Sequence, residues 1–316
     1  MRPGRSSRPR TRTRPPHADA DAGFVVAVDR GRFTCVVRDR TVTAMRAREL
    51  GRRTVVVGDR VAIVGDTSGA VDALARIVRI EPRATVLRRS ADDTDPVERV
   101  VVANAEQLVI VTALAEPPPR VGFVDRCLVA AFDGGLDPLL CLTKGDLATP
   151  DTLPGLYGDL DVAAVTTRSD TDPGELRARL DGRVSVLIGH SGVGKSTLVN
   201  RLVPDAARAT GGVNVVTGRG RHTSSSAVAL RLPDRGWVID TPGIRSFGLA
   251  HVRPPDVLAA FPDLAAGAPR CPSRCEHMSE ADGCTLGRWV RSGETTSARL
   301  ESFRRLLRAR LTEPAG

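Results

Sequence analysis

The sequence predicts a multidomain chain: a small all-β barrel, then a central α/β domain with a parallel sheet, then a short helical module that carries cysteines. Three observations lead there. Residues 22–82 alternate short Val-rich runs with Gly/Asp turns, the spacing of closely packed strands. Residues 184–202 read as strand, glycine loop and helix. Cys271, Cys275, His277 and Cys284 fall within fourteen residues near the C-terminus.

The first sixteen residues, MRPGRSSRPRTRTRPP, are Arg, Pro and Ser with almost nothing apolar, so residues 1–21 are expected to form a disordered cationic tail. They lack the apolar helical face of a transit peptide. The barrel is expected over residues 22–87, from the runs FVVAVD, FTCVVRD, TVVVGDRVAIVGD and ALARIVRI. Residues 1–81 hold 17 Arg against 9 acidic residues, a net +8 of the chain's formal +9. That concentrates a nucleic-acid footprint on this part. Phe24 and Phe33 are its only Phe, Trp or Tyr residues, so phosphate contact by arginine is expected rather than base stacking, with strongly salt-dependent RNA binding. No run of eighteen apolar residues exists, which excludes a membrane-spanning helix.

The central domain is expected over residues 98–250. The apolar run VSVLI, residues 184–188, reads as a buried strand, and GHSGVGKST follows it directly. This matches G-x-x-x-x-G-K-[ST], with Leu198, Val199 and Leu202 on one face of the helix beyond. The loop residues Gly189, His190, Ser191, Gly192, Val193, Gly194, Lys195, Ser196 and Thr197 are then the phosphate cradle, with backbone N–H groups and the helix N-terminus facing phosphate oxygens. Lys195 is expected to reach the β- and γ-phosphates and Ser196 to ligate Mg²⁺. A glycine-rich turn that merely contains Lys-Ser is the alternative, and the full match in its required setting disfavours it.

Of 46 Lys plus Arg residues only two are lysines, Lys144 and Lys195. A compact ammonium and a planar guanidinium are not interchangeable, so two lysines surviving in so arginine-rich a chain mark sites that need a point charge. Lys144 lies in TKGD, residues 143–146, after the apolar run LDPLLCL. TKGD fits the guanine-reading pattern [NT]-K-x-D: the Asp146 carboxylate would accept from the guanine N1–H and 2-amino group, while adenine would leave it unpaired. Thr143 and Lys144 complete this reader, with the lysine methylenes along the base. The run VAAVTTRSD then places Thr166 and Thr167 where a contact to the guanine O6 is expected. Thr223, in GRGRHTSSS, is suited to the Mg²⁺ and γ-phosphate shell. In WVIDTPG, Asp240 would hold Mg²⁺ through water and the Gly243 N–H would sense the γ-phosphate.

With the base reader first and D-x-x-G last, the motif order resembles that of circularly permuted GTPases. The segments VVANAEQLVIV, VDRCLVAA, TKGDL, GHSGVGKSTLVN, GRGRHTSSS and DTPGIRSFGL, with the cysteine cluster, are similar to the small-ribosomal-subunit-dependent GTPase family RsgA, also called YjeQ. The resemblance covers about the last two-thirds of the chain. It implies that the barrel is an OB-fold and that the protein hydrolyses GTP to GDP with Mg²⁺. It also implies work on the small ribosomal subunit and its rRNA, late in subunit maturation and stimulated by the subunit, by a cytoplasmic monomer.

Ile244 stands where many GTPases carry a water-orienting glutamine, and it can neither donate nor accept. His222, beside Thr223, is the nearest polar candidate for that task, and the family's GRHT-type loop supports it. The other reading leaves His222 solvated or against rRNA phosphate. The catalytic set expected is therefore His222, Lys195 and Thr223.

Cys271, Cys275, His277 and Cys284 suffice for one closed tetrahedral Cys₃His zinc per chain, as ligands of a module over residues 251–316. The family's cysteine pattern has the same order, here with the first gap one residue shorter and the last one longer. A disulfide framework competes, and the lack of an apolar signal segment disfavours it. Cys35, Cys127 and Cys141 lie singly in apolar runs and read as core. Residues 288–311 read as helix with an arginine-rich face, solvated or against RNA. Two rivals stay open: the same hydrolase with another RNA client, and an RNA-binding scaffold with structural nucleotide.

Overall fold

In a computed structural model of the chain, residues 17–51, 53–90, 99–149, 153–204, 227–242, 248–249 and 251–311 are described. The N-terminal strands β1 (Asp21–Asp29), β2 (Arg32–Val37), β3 (Arg40–Arg46), β4 (Arg60–Gly65) and β5 (Ala75–Ile80) close on themselves in the order β1-β2-β3-β5-β4-β1. Only β3–β5 is parallel. This is the five-stranded barrel of an OB-fold. Alternation drives it: in β2, Phe33, Cys35 and Val37 point inward and meet Val42, Ala44, Val61, Ile63 and Ile77. Burial pushes the Cys35 thiol up to about 12, so it behaves as a small core hydrophobe.

β6 (Val86–Arg89) begins just inside the end of the range expected for the barrel, and it pairs with β7 (Arg99–Ala103) as a separate two-stranded ribbon. A polar junction holds the barrel to this ribbon. Buried Asp59 accepts from Arg83 at 2.7 and 2.9 Å and from the Val56 N–H at 2.8 Å. Asn104 donates to the Gly58 carbonyl at 2.9 Å.

The central sheet runs β10-β9-β8-β11-β13-β12, from β8 (Gln107–Ala113), β9 (Asp137–Thr143), β10 (Ala163–Thr166), β11 (Val184–Gly189), β12 (Val228–Arg231) and β13 (Trp237–Asp240). All neighbours are parallel except β12, which pairs antiparallel with β13. Every residue of β8 is buried, as expected for a central parallel strand covered on both faces. The chain steps from β8 to β9 and β10 on one side and returns to β11 on the other. That reversal makes a crevice at the carboxyl ends of β8 and β11, where open α/β sheets bind ligands. The helices α1 (Val121–Gly134), α2 (Leu153–Tyr157), α3 (Gly174–Leu180) and α4 (Lys195–Leu202) complete this part. Among the described residues the sheet continues into the barrel through one antiparallel pair, Ala27 with Val228, supported by Phe24, whose ring centroid lies 5.1 Å from that of Trp237 at a 46° tilt, and by an Arg231–Asp39 ion pair of 2.8 Å.

The C-terminal helices α5 (Pro254–Ala259), α6 (Pro262–Gly267), α7 (Leu286–Arg291) and α8 (Ser297–Leu311) share a core with the central domain. Phe303, Leu306 and Leu307 of α8 pack in the same cluster as Phe123, Val124 and Leu128 of α1. Asp125 of α1 accepts from Arg305 of α8 at 3.1 Å, and the Arg305 guanidinium lies over the Tyr157 ring. The arginine-rich face of α8 is thus partly spent on internal contacts. Among the described residues no helix is long and apolar enough to cross a membrane.

Candidate active site and metal centre

The phosphate loop joins the end of β11 to the start of α4. Gly194 takes a φ of +88°, a region L side chains rarely adopt, and its carbonyl accepts the Leu198 N–H at 2.9 Å, so the helix begins immediately after the turn. Lys195 is the first residue of α4. Its side chain is 8% exposed, and its ammonium donates to Asp240 Oδ1 and, at 2.5 Å, to the Thr241 carbonyl. Adjacent strands bring these together, since Leu187 of β11 is paired with Asp240 of β13. Buried Thr241 is itself tied to the Leu187 carbonyl at 2.7 Å. Ser196 and Thr197 are exposed at the same helix N-terminus. The hydroxyl of Ser196 and the carboxylate of Asp240 are hard oxygen donors of the kind Mg²⁺ takes.

His190, the first residue of the glycine loop's interior, does not face outward. Its ring lies 3.9 Å from that of Phe123, and burial, reinforced by Arg120, holds its pKa below the ordinary histidine value. It is therefore a neutral packing ring.

The segment TKGD, residues 143–146, stands beside this loop. Thr143 is buried at the end of β9, and its hydroxyl donates to the Val193 carbonyl at 2.5 Å, joining TKGD to the phosphate loop. Lys144 has a φ of +58°, a strained backbone that turns the chain away from the strand, and its ammonium donates to the Glu116 carbonyl. A Cβ at Gly145 would lie 2.6 Å from Thr166 Cγ2, so any side chain there would have to displace Thr166. Asp146 is exposed and accepts from the Ser169 N–H at 3.1 Å and the Ser169 hydroxyl at 3.0 Å. The Ser169 N–H is the main reason its pKa sits below the usual carboxylate range. Between these segments lies a cleft of about 120 Å³ lined by Thr143, Lys144, Thr167, Arg168, Ser169 and Arg201, among others.

The structure therefore brings together Thr143, Lys144, Asp146, the loop from Gly189 to Thr197, and Asp240. Thr166 and Thr167 are adjacent, but both backbone groups of Thr167 are already used: its N–H goes to Leu142 at 2.7 Å and its carbonyl accepts from Gly145 at 3.0 Å. His222, Thr223, Gly243 and Ile244 lie outside the described residues. Sequence reasoning missed Ser169, Arg168 and Arg201. Ser169 follows the flagged TTR by one position, whereas Arg201 makes its contact through a main-chain carbonyl and leaves no pattern to read.

A second cluster is built by the C-terminal module. The ligand-type atoms of Cys271, Cys275, His277 and Cys284 all lie within 4.8 Å of one another. Cys271 Sγ is 4.0 Å from Cys284 Sγ, and Cys284 Sγ is 3.8 Å from His277 Nδ1. A tetrahedral ion with Zn–S bonds near 2.3 Å separates its ligands by roughly 3.5–3.8 Å, so the set fits such an ion. A disulfide needs sulfurs about 2.05 Å apart, so the competing framework is absent among these cysteines, all of which are free. Burial opposes ionisation of Cys271, but hydrogen bonds with Thr285, Cys284 and Cys275 together outweigh it and hold the thiol below its ordinary value. Burial, with Arg304, keeps His277 below the usual histidine range, which favours the neutral ring that ligates.

The family model for the RsgA GTPase matches residues 80–250, from the last barrel strand through the central domain. The chain belongs to the RsgA GTPase family. It is a GTP hydrolase, and its central domain is the circularly permuted form. A small ribosomal subunit biogenesis GTPase RsgA of Chlorobaculum parvum is 36% identical over 281 residues, 86% of this chain and 90% of that protein. The protein of the same name from Azotobacter vinelandii is 39% identical over 270 residues, 82% of this chain and 76% of its own. Among solved structures, YjeQ from Thermotoga maritima superposes with a TM-score of 0.65 at 25% identity, covering 92% of this chain and 98% of that one. YloQ, described as a circularly permuted GTPase, shares the fold with a TM-score of 0.65 at 21% identity, covering 94% and 96%.

Proposed function

We propose that this RsgA-family chain hydrolyses GTP in late maturation of the small ribosomal subunit, binding rRNA and being stimulated by the subunit, as a cytoplasmic monomer. The observation that supports this most is the convergence of the TKGD reader and the phosphate loop on one cleft, joined by the Thr143 to Val193 hydrogen bond. The names of the relatives supply the client.

In this reading Asp146 accepts from the guanine, and the Lys144 methylenes lie along the base. The backbone of residues 190–195 cradles the phosphates and Lys195 turns from Asp240 to the β- and γ-oxygens. Mg²⁺, held by Ser196, Asp240 and Thr223, would neutralise charge developing on the phosphates. Gly243 senses the γ-phosphate, and His222 orients the attacking water in place of the glutamine that Ile244 replaces. One zinc ion in the Cys₃His cluster would hold residues 268–286 in shape. Arg32, Arg40, Arg60 and Arg76 of the barrel are exposed, and none of the four has an ion-pair partner among the described residues. They are suited to rRNA phosphate, with a steep loss of affinity as salt rises.

The test is phosphate release from GTP, with ATP as control, alone and with small subunits, large subunits or free RNA. Stimulation by small subunits alone is the expected result. Equal stimulation by free RNA would point to another client, and no GTP hydrolysis under any condition to a scaffold.

A further inference from the structure

We propose that Arg201 is a positioning residue for guanine selection: through the Arg168 carbonyl and Ser169 it sets the angle at which Asp146 presents its carboxylate. This rests on the reading of Asp146 as the base reader.

Arg201 projects from α4, the helix that Lys195 begins, and its Nη1 donates to the Arg168 carbonyl at 2.6 Å. The next residue, Ser169, then supplies one donor to each Asp146 oxygen, its N–H to Oδ1 and its hydroxyl to Oδ2. Each carboxylate oxygen has a second lone pair left over, and two such acceptors held in one plane match the N1–H and 2-amino group of guanine. The sheet fixes this loop only as far as Thr167, whose N–H and carbonyl bond to Leu142 and Gly145. Beyond it, side chains hold the loop. Arg168 pairs with Asp170 at 3.1 Å, Arg177 reaches Asp172 at 3.1 Å, and Arg177 also donates to the Arg201 carbonyl at 3.4 Å. Of these, the Arg201 contact is the one that ties the helix of the phosphate cradle directly to the residue before Ser169, whereas Arg177 bridges that helix to Asp172 farther along the loop. In this order 42 residues lie between TKGD and the phosphate loop, and Arg201 closes that gap at the base end as Thr143 closes it at the strand end.

An exposed carboxylate freed from Ser169 would rotate, and the bond to the guanine 2-amino group would weaken most. Inosine triphosphate lacks that group, so the GTP-to-ITP affinity ratio isolates the effect. Equilibrium binding of GTP, ITP and ATP would be measured for the native protein and for Arg201→Ala, Ser169→Ala and Ser169→Thr. Arg201→Ala and Ser169→Ala are each expected to lower the GTP-to-ITP ratio about five- to tenfold. Ser169→Thr, which keeps the hydroxyl, should restore the ratio. If Arg201 instead touched the phosphates or the O6 shared by both bases, GTP and ITP would weaken together; an unchanged ratio in both alanine variants overturns the proposal. A native protein that fails to prefer GTP over ATP would overturn the base reading itself, so the two failures are distinguishable.

Discussion

The candidate nucleotide site and the candidate metal centre are built in opposite ways. The nucleotide site gathers residues from the ends of β9, β10, β11 and β13, and the sheet holds them in place: Thr143 is buried on Val193, Lys195 on Thr241, and Thr241 on Leu187. The metal cluster draws all four residues from one short stretch that has only brief 3-10 turns, with Arg274 and His277 at positive φ. A distributed site inherits its geometry from the fold. A contiguous one without regular structure needs something at its centre to hold it.

Metal loss should therefore produce the largest effect. Cys275→Ser, or treatment with a strong chelator, is expected to lower the melting temperature and to raise amide exchange across residues 268–286, since structural zinc contributes on the order of several kcal/mol to the segment it organises. Exchange in α8 should change little, because Phe303, Leu306 and Leu307 are anchored in the central core. Unchanged exchange near the cysteines would erase the contrast.

The next effect in size is at the phosphate end. Lys195→Ala should reduce kcat by about a hundred- to a thousandfold, roughly 2.7–4 kcal/mol, the usual cost of losing one charge-stabilising donor. The fold should survive, as read by an unchanged circular dichroism spectrum, because the sheet and not the lysine places Asp240. A loss of structure in this variant would mean that the nucleotide site, too, depends on its own charges for shape.

The same contrast explains what the sequence disclosed. Contiguous signals were legible: the glycine loop, TKGD, the cysteine cluster, and the alternation of Phe33, Cys35 and Val37 that makes β2 a barrel strand. Contacts between distant segments were not. β6 left no signal in the sequence, and it is defined by its pairing with β7. The Ala27–Val228 pair that joins barrel to central sheet has no side-chain signature, because main-chain hydrogen bonds are indifferent to residue type. Arg201 escaped for the same reason, as its acceptor is a carbonyl. Thr167 could be picked out from the sequence, but whether its backbone was free could be decided only by the sheet that consumes it.

The central claim is that two segments in permuted order, TKGD and the phosphate loop, form one site for one guanine nucleotide. Asp146→Asn tests it most directly. Its amide can donate to the 2-carbonyl of xanthine but meets the guanine 2-amino group donor to donor. Measured by equilibrium binding, the variant should lose about thirtyfold or more in GTP affinity and gain affinity for xanthosine triphosphate, with hydrolysis of the latter still dependent on Lys195. GTP affinity that stays at the native level, with no gain for the xanthine nucleotide, would mean that the base is read elsewhere.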